Sequence, residues 1–155
     1  MFKLNRLTDY AVVVMAELAK EPAAMRAAGQ IAADSGVPLP TVAKVLNLLA
    51  RDGLVVAHRG ATGGYNLSRP ADQISVAEIV QSIEGPIALT ACVEGALAQC
   101  DMEIHCAMRG NWDKVNQVIH QALNTLTLAD MTPCSTAPAD FVPPAPPLAA
   151  AARTL

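Results

Sequence analysis

The chain has 155 residues, which is enough for one ordinary domain and an appendage. Hydrophobic residues make up 52% of it but aromatic ones only 3%, so any core must be largely aliphatic. The net charge of −3 is unevenly placed, since residues 1–70 hold eight Lys and Arg against five Asp and Glu. A positive front half and an acidic rear half are compatible with a nucleic-acid-binding module joined to a regulatory one.

The N-terminal residues show no pattern of export or membrane insertion. Asp9 and Glu17 interrupt the apolar stretch near the start, so we expect neither a signal peptide nor a membrane span. The expected location is therefore cytoplasmic. Because the cytosol keeps thiols reduced, the four cysteines favour metal, cluster or redox chemistry over structural disulfides.

Three helices are predicted in the first 53 residues. Apolar residues recur at three- and four-residue intervals over 5–19, which predicts an amphipathic helix ended by Pro22. A short helix over 29–34 leads into a Gly- and Pro-containing turn, and a third helix opens at Pro40 and stops at Gly53. This order is typical of a helix-turn-helix.

The third helix has an apolar and a polar side. The apolar stripe comprises Val42, Val45, Leu46 and Leu49. The opposite side comprises Thr41, Lys44, Asn47, Leu48 and Arg51. The outer side is either a surface that enters a DNA major groove or an ordinary solvated helix face.

A β-hairpin is predicted after the third helix. Residues 54–58 and 65–68 have strand character and flank a loop with three glycines. A helix-turn-helix followed by a hairpin is a winged helix, mainly α with a small β-hairpin. The glycines permit close approach to a phosphate backbone or a minor groove, although they also suit a merely tight turn. The candidate DNA contacts are Thr41, Lys44, Arg51, Arg59, Gly60, Thr62, Gly63 and Tyr65.

Two further helices are predicted after the hairpin, and they complete the division of the chain. Ser75 and Glu78 form a capping box that starts a fourth helix to about Glu84. Apolar residues then follow the 4-3 spacing of a coiled-coil seam, which predicts a helix that self-associates into a homodimer. The seam is Met108, Trp112, Val115, Ile119, Ala122 and Leu126. The predicted division is a DNA-binding domain (1–85), a cysteine loop (86–106), a dimerisation helix (107–130) and a disordered Pro- and Ala-rich tail (131–155).

Three cysteines, Cys92, Cys100 and Cys106, lie within fifteen residues. Thiolates gathered on one loop favour zinc or an iron–sulfur cluster. The paired C-x2-C knuckles of structural zinc are missing from this spacing, which favours a cluster. Three unrelated cysteines are the alternative. His105 adjoins the last cysteine and is one candidate for a fourth ligand, whereas Cys134 lies far away in the tail.

Four segments and the three cysteines together match a known pattern. The segments are Leu7-Thr8-Asp9-Tyr10-Ala11, Arg51-Asp52-Gly53-Leu54-Val55, Arg59-Gly60-Ala61-Thr62-Gly63-Gly64-Tyr65 and Ile79-Val80-Gln81-Ser82-Ile83-Glu84-Gly85. With these segments the chain resembles the Rrf-type winged-helix regulators of bacteria, the IscR, NsrR and RirA family. The resemblance covers roughly residues 1–130, and within the family the chain is most similar to regulators of Suf iron–sulfur assembly operons.

This resemblance implies a homodimer that binds a palindromic double-stranded operator. It also implies one iron–sulfur cluster per protomer, with [4Fe-4S] favoured over [2Fe-2S], held by Cys92, Cys100 and Cys106. Some members use a histidine three positions after the last cysteine, but Arg109 stands there in this chain. Others use an acid at the start of the first helix of the partner subunit, and Asp9 matches that position, which favours it over His105.

The sequence therefore predicts a cluster-sensing transcriptional repressor, not an enzyme, that controls Suf-type iron–sulfur assembly genes. One alternative keeps DNA binding but makes the cysteines a thiol-redox or zinc site. Another is an iron–sulfur electron carrier or enzyme in which the winged helix contacts only proteins. The sequence offers no nucleophile–base pair or cofactor motif in favour of that last alternative.

Overall fold

The computed structural model describes residues 3–60, 63–93, 96, 106 and 111–132. Within these residues the protein is mainly helical with one two-stranded antiparallel hairpin, which confirms the predicted fold class. The elements are α1 (Arg6–Ala19), α2 (Ala28–Ser35), α3 (Leu39–Arg51), β1 (Val55–His58), β2 (Gly64–Leu67), α4 (Val76–Glu84), α5 (Asn111–Thr125) and α6 (Leu128–Met131). None of the described helices is both long enough and apolar enough to cross a membrane.

The main core lies between α1, α2, α3 and the hairpin. The predicted stripe of α3 is fully buried there and packs against α1, where Val14, Met15 and Leu18 are also inaccessible to solvent. Each such side chain contributes about 1.5–3 kcal/mol of transfer free energy on burial. This burial fixes the rotation of α3 about its axis, so the side chains opposite the stripe face outward.

Local signals in the sequence set the helix boundaries. The Asn5 side chain accepts a hydrogen bond from the Thr8 N–H and caps α1. Gly36, with φ of 71°, ends α2 and forms the turn before α3. The predicted capping box of α4 is confirmed, because Ser75 and Glu78 exchange their side-chain-to-backbone hydrogen bonds.

The hairpin pairs Val55 with Leu67 at its base and His58 with Gly64 near its tip. It is also tied to the chain between α1 and α2. Arg26 and Tyr65 exchange two backbone hydrogen bonds, of 3.0 and 2.9 Å, in an isolated antiparallel bridge. This third strand-like partner holds the hairpin against the helical core.

The helix predicted over 107–130 differs in the structure. α5 ends at Thr125, because the chain bends at Leu126 and the extended Thr127 forms an antiparallel bridge with Ser75. The Val76 N–H donates to the Leu126 carbonyl and the Leu128 N–H donates to the Ile74 carbonyl, both at 2.8 Å. Thr127 then caps α6, whose Leu128 is fully buried in the main core. Residues 107–110 and the predicted disordered tail beyond 132 lie outside the described residues.

Part of the predicted coiled-coil seam is used within the chain. The seam residues Ile119 and Leu126, together with Leu123, which is not a seam residue, pack on a second cluster formed by α4 and Ile87. Trp112 and Val115, in contrast, are 41% and 43% exposed. The seam is therefore divided between contacts inside the chain and an open surface, while its first member, Met108, lies outside the described residues.

Candidate nucleic-acid interface and cysteine segment

The outward side of α3 carries the predicted helix contacts. Lys44 and Arg51 are exposed and Thr41 is half-buried near the N-terminal end. Leu39 begins the helix on the side of the apolar stripe and is 50% exposed. A side with cations and a hydroxyl has the groups needed to contact phosphates and base edges in a major groove.

Arg51 is connected to α4 through Asp52. The Arg51 Nε–H donates to Asp52 Oδ1 at 3.1 Å, and the hydroxyl of the buried Ser82 on α4 donates to Asp52 Oδ2 at 2.7 Å. The Arg51 guanidinium and then the Ser82 hydroxyl lower the pKa of Asp52 below its ordinary value. The Asp52 carboxylate in turn raises the pKa of Arg51. The end of α3 is thus held to α4 by a charged hydrogen-bonded chain.

The wing, which is the hairpin of β1 and β2 with the loop between them, contains the other predicted DNA contacts. Arg59 and Gly60 are exposed, Gly63 and Tyr65 are half-buried, and Thr62 lies outside the described residues. A Cβ at Gly63 would lie 2.4 Å from the His58 carbonyl oxygen. Gly60 has φ of 122°, a backbone conformation that favours glycine. At these positions the glycines are required by the hairpin itself.

Gly64 explains how the wing meets the helical core. A Cβ there would lie 2.8 Å from the carbonyl oxygen and 2.9 Å from the carbonyl carbon of Arg26. Its absence lets the Arg26–Tyr65 bridge form. The role of Arg26 cannot be predicted from the sequence, because a single backbone bridge leaves no periodic pattern in its own segment.

The cysteine segment is described in part. Cys92 and Cys106 are free thiols, each half-buried, whereas Cys100 and His105 lie outside the described residues. The Thr90 hydroxyl lies 3.2 Å from the Cys92 sulfur. Among the described residues no three His, Cys, Asp or Glu side chains gather closely enough to hold a metal ion. Cys92, Cys106 and Asp9 therefore do not form a common site within one chain.

Cys92 lies in a turn anchored to α5. The Val93 N–H donates to the Thr90 carbonyl at 3.3 Å and closes the turn around the cysteine. Just before this turn, the buried Asn116 of α5 accepts from the Leu89 N–H at 3.1 Å and donates to the Ile87 carbonyl at 2.8 Å. Asn116 was not identified from the sequence, where it is an ordinary polar helix residue.

Asp9 is exposed on the first turn of α1 and borders a groove of about 850 Å³ between α1, α4 and α6. The groove is mostly apolar, with Val12, Val76, Val80 and Met131 among its lining residues. An exposed carboxylate at the edge of an apolar groove is accessible to a group supplied by another chain. The expectation that Asp9 ligates across a dimer stays a prediction.

Glu78 links the capping box of α4 to the end of the hairpin. Its carboxylate accepts hydrogen bonds from Ser75 and from the Arg69 guanidinium. Burial alone would raise the pKa of Glu78, but the Ser75 and Arg69 hydrogen bonds outweigh that effect and lower the pKa below its ordinary value. The carboxylate is therefore most favourable to the fold in its ionised form.

The protein is a winged-helix protein: it has a buried helical core, a third helix with one side facing outward, and an adjoining hairpin. Comparison with known proteins gives the family. A family model described as "Rrf2: Iron-dependent Transcriptional regulator" matches residues 4–133. The chain belongs to the Rrf2 family, whose members are DNA-binding transcriptional regulators and not enzymes.

Individual relatives agree with this assignment. A Mycobacterium tuberculosis protein named as an HTH-type transcriptional regulator is 36% identical over 87 residues, which are 56% of this chain and 54% of the relative. The match thus spans about half the length of that relative. The structure of CymR, the global cysteine regulator of B. subtilis, has a TM-score of 0.65 and 27% identity, covering 84% of this chain and 96% of CymR. T. potens IscR has a TM-score of 0.62 and 28% identity, covering 84% and 85%.

Proposed function

We propose that this regulator is an iron–sulfur cluster-sensing repressor that acts as a homodimer on a double-stranded operator of Suf-type iron–sulfur assembly genes. The observation that carries the proposal is the location of two free thiols, Cys92 and Cys106, on the chain between the winged helix and α5. A sensor placed there lies between the DNA-reading part and the helix with an open apolar face. The similarity to T. potens IscR supports the same assignment.

The proposed DNA contacts follow from the exposed side of α3 and from the wing. Thr41 and Lys44 contact base edges and phosphates in the major groove. Arg51, held by Asp52, contacts the phosphate backbone at the other end of the helix. The proposed wing contacts are Arg59, Gly60, Thr62, Gly63 and Tyr65.

The proposed dimer uses the open face of α5. Trp112, Val115 and Val118 are each at least 41% exposed and follow one another at three-residue steps along one side of the helix. Because contiguous exposed apolar side chains favour association, a second copy of the chain is the simplest partner. In this arrangement residues 1–85 bind DNA, 86–106 form the sensor and α5 forms the dimer contact.

The proposed cluster ligands are Cys92, Cys100 and Cys106 of one chain and Asp9 of the partner subunit, with His105 as the less favoured fourth ligand. These side chains are suitable ligands for an iron–sulfur cluster, because the two described cysteines are free, half-buried thiols and Asp9 is exposed. An iron–sulfur cluster, [4Fe-4S] in preference to [2Fe-2S], supplies a link between these ligands that depends on iron and is sensitive to oxidants or nitric oxide. In this proposal the cluster-loaded protein binds its operator, and the protein that has lost the cluster releases the operator.

A contiguous path connects the cysteine segment to α3. Asn116 joins that segment to α5, α5 packs on α4 through Ile119 and Leu123, and Ser82 of α4 donates to Asp52 at the end of α3. Coupling between two sites on one protein is typically about 1–3 kcal/mol. Such a coupling changes operator affinity by several-fold to a hundredfold.

The test is anaerobic purification followed by measurement of iron, acid-labile sulfide, the visible spectrum and operator binding. The wild-type protein should contain iron and sulfide and bind operator DNA more tightly than its apo form. Cys92→Ala and Cys106→Ala should abolish cluster uptake, whereas Cys134→Ala is the matched control and should behave as wild type. A wild-type protein that takes up neither iron nor sulfide would refute the sensor proposal.

A second candidate function is a thiol-redox or zinc-dependent regulator of the same DNA-binding kind. It is favoured by the similarity to CymR, a cysteine regulator. Zinc in the purified protein without labile sulfide, or an operator affinity that changes on reversible oxidation of Cys92, would support this second candidate over the first.

A further inference from the structure

Asn116 is a buried polar side chain whose carboxamide oxygen and nitrogen both form hydrogen bonds with a distant segment. Its residue is only 8% exposed, and its amide group both donates to the Ile87 carbonyl and accepts from the Leu89 N–H. Buried polar groups are costly unless they are hydrogen-bonded, and here both ends of the carboxamide are satisfied by backbone. The side chain therefore clamps residues 87–89 to α5.

The clamp lies directly before the first cysteine. Thr90 follows Leu89, begins the turn that closes at Val93, and places its hydroxyl 3.2 Å from the Cys92 sulfur. Val93 is buried, so the turn is held at both ends. The two hydrogen bonds of Asn116 thus attach the chain immediately before the Cys92 turn to α5.

We propose that Asn116 is a positioning residue of the sensor site: it holds Cys92 in its ligating orientation and sets how readily the protein gives up its cluster. This inference rests on the proposed function, in which Cys92 is a ligand. Removing outer-shell partners of metal ligands typically lowers metal affinity by about 10–100-fold. Because Asn116 acts through the backbone of residues that precede Cys92 by three and five positions, the lower end of that range applies.

The test compares Asn116→Leu, which keeps the size but loses both hydrogen bonds, with Gln117→Leu at the adjacent exposed position. On the apoprotein, we measure amide hydrogen exchange at Leu89 and the alkylation rate of Cys92 by peptide mass spectrometry. On the cluster-loaded protein, we measure the decay of visible absorbance in excess EDTA. Asn116→Leu should raise all three rates, the decay by roughly tenfold, and Gln117→Leu should match wild type.

Asn116→Asp distinguishes the clamp from general stability. The carboxylate still accepts from the Leu89 N–H but cannot donate to the Ile87 carbonyl, so it should give smaller increases of the same kind even if Asn116→Leu fails to fold. Unchanged Cys92 alkylation and absorbance decay in a folded Asn116 variant would overturn the positioning role. A wild-type protein without iron or sulfide would instead overturn the proposed function, and the apoprotein rates would still decide whether the clamp exists.

Discussion

The wing should lose its attachment to the helical core when Gly64 is replaced by Ala. The added Cβ would lie 2.8 Å from the Arg26 carbonyl oxygen, which is backbone and cannot move aside without separating the two segments. The bonds at risk are the two that Arg26 and Tyr65 exchange, at 3.0 and 2.9 Å. At about 0.5–1.5 kcal/mol each, their loss costs about 1–3 kcal/mol.

An opposing contribution must be compared with this loss before the net effect of Gly64→Ala on stability is known. Replacing Gly with Ala at an unstrained position stabilises by about 0.4–1 kcal/mol, because the unfolded chain loses freedom. The collision exceeds this gain, so Gly64→Ala should be destabilising overall. Gly29→Ala is the matched control, since a Cβ at this α2 position would meet no atom within 4 Å. It should be stabilising by about 0.5–1 kcal/mol.

The assay is thermal unfolding combined with operator binding by fluorescence anisotropy. Each 1 kcal/mol corresponds to about 2–4 °C in Tm for a chain of roughly 150 residues. Gly64→Ala should melt several degrees below wild type and bind the operator more weakly, because the wing loses its fixed position, whereas Gly29→Ala should melt higher and bind normally. If Gly64→Ala keeps both the wild-type Tm and the wild-type affinity, the bridge does not hold the wing.

Lys44→Ala should weaken operator binding and reduce the slope of log affinity against log salt by about 0.9 if Lys44 meets one phosphate; Lys114→Ala on α5 should leave that slope unchanged. In the proposed homodimer Val118→Glu would place a charge in the α5 contact, so this variant should sediment as a monomer. A dimer that persists in this variant would contradict the proposed α5 interface. The pKa of Glu78 lies below its ordinary value of 4.5 in the folded protein, so its stabilisation is present above that pH and lost as pH falls through the folded pKa. Glu78→Gln should therefore show a smaller fall in urea midpoint on acidification than wild type, and an equal fall would contradict the shift.

The helices up to α4 could be predicted from the sequence, because their determinants lie within the helices themselves. The apolar stripe of α3 is set by helical periodicity, and the capping box at Ser75 and Glu78 is complete within four residues. The end of α5 is different. It depends on the pairing of residues 126–127 with the chain around Ser75, about fifty residues away, and a heptad pattern alone contains no information about that contact.

The same distinction holds for the candidate sites. Lys44 was identified because charge and helix face are visible in sequence, and Cys92 because thiols are rare and chemically specific. Asn116 gave no comparable signal, since polar residues are common on helices and its partners, Ile87 and Leu89, are reached only through the fold. Ligand type is thus readable from composition, whereas the groups that orient a ligand require the structure.

The two apolar sides of α5 explain how one helix can serve two roles. Ile119 and Leu123 on its inner side are covered by α4, and Val115 and Val118 on its outer side are open. A helix with both sides apolar is stable only when both are covered. The inner contact fixes α5 to the DNA-binding domain, so a second copy docked on the outer side would relate the two α3 helices through α5. A displacement of the cysteine segment, transmitted through Asn116, would then alter the spacing of those helices in both chains at once.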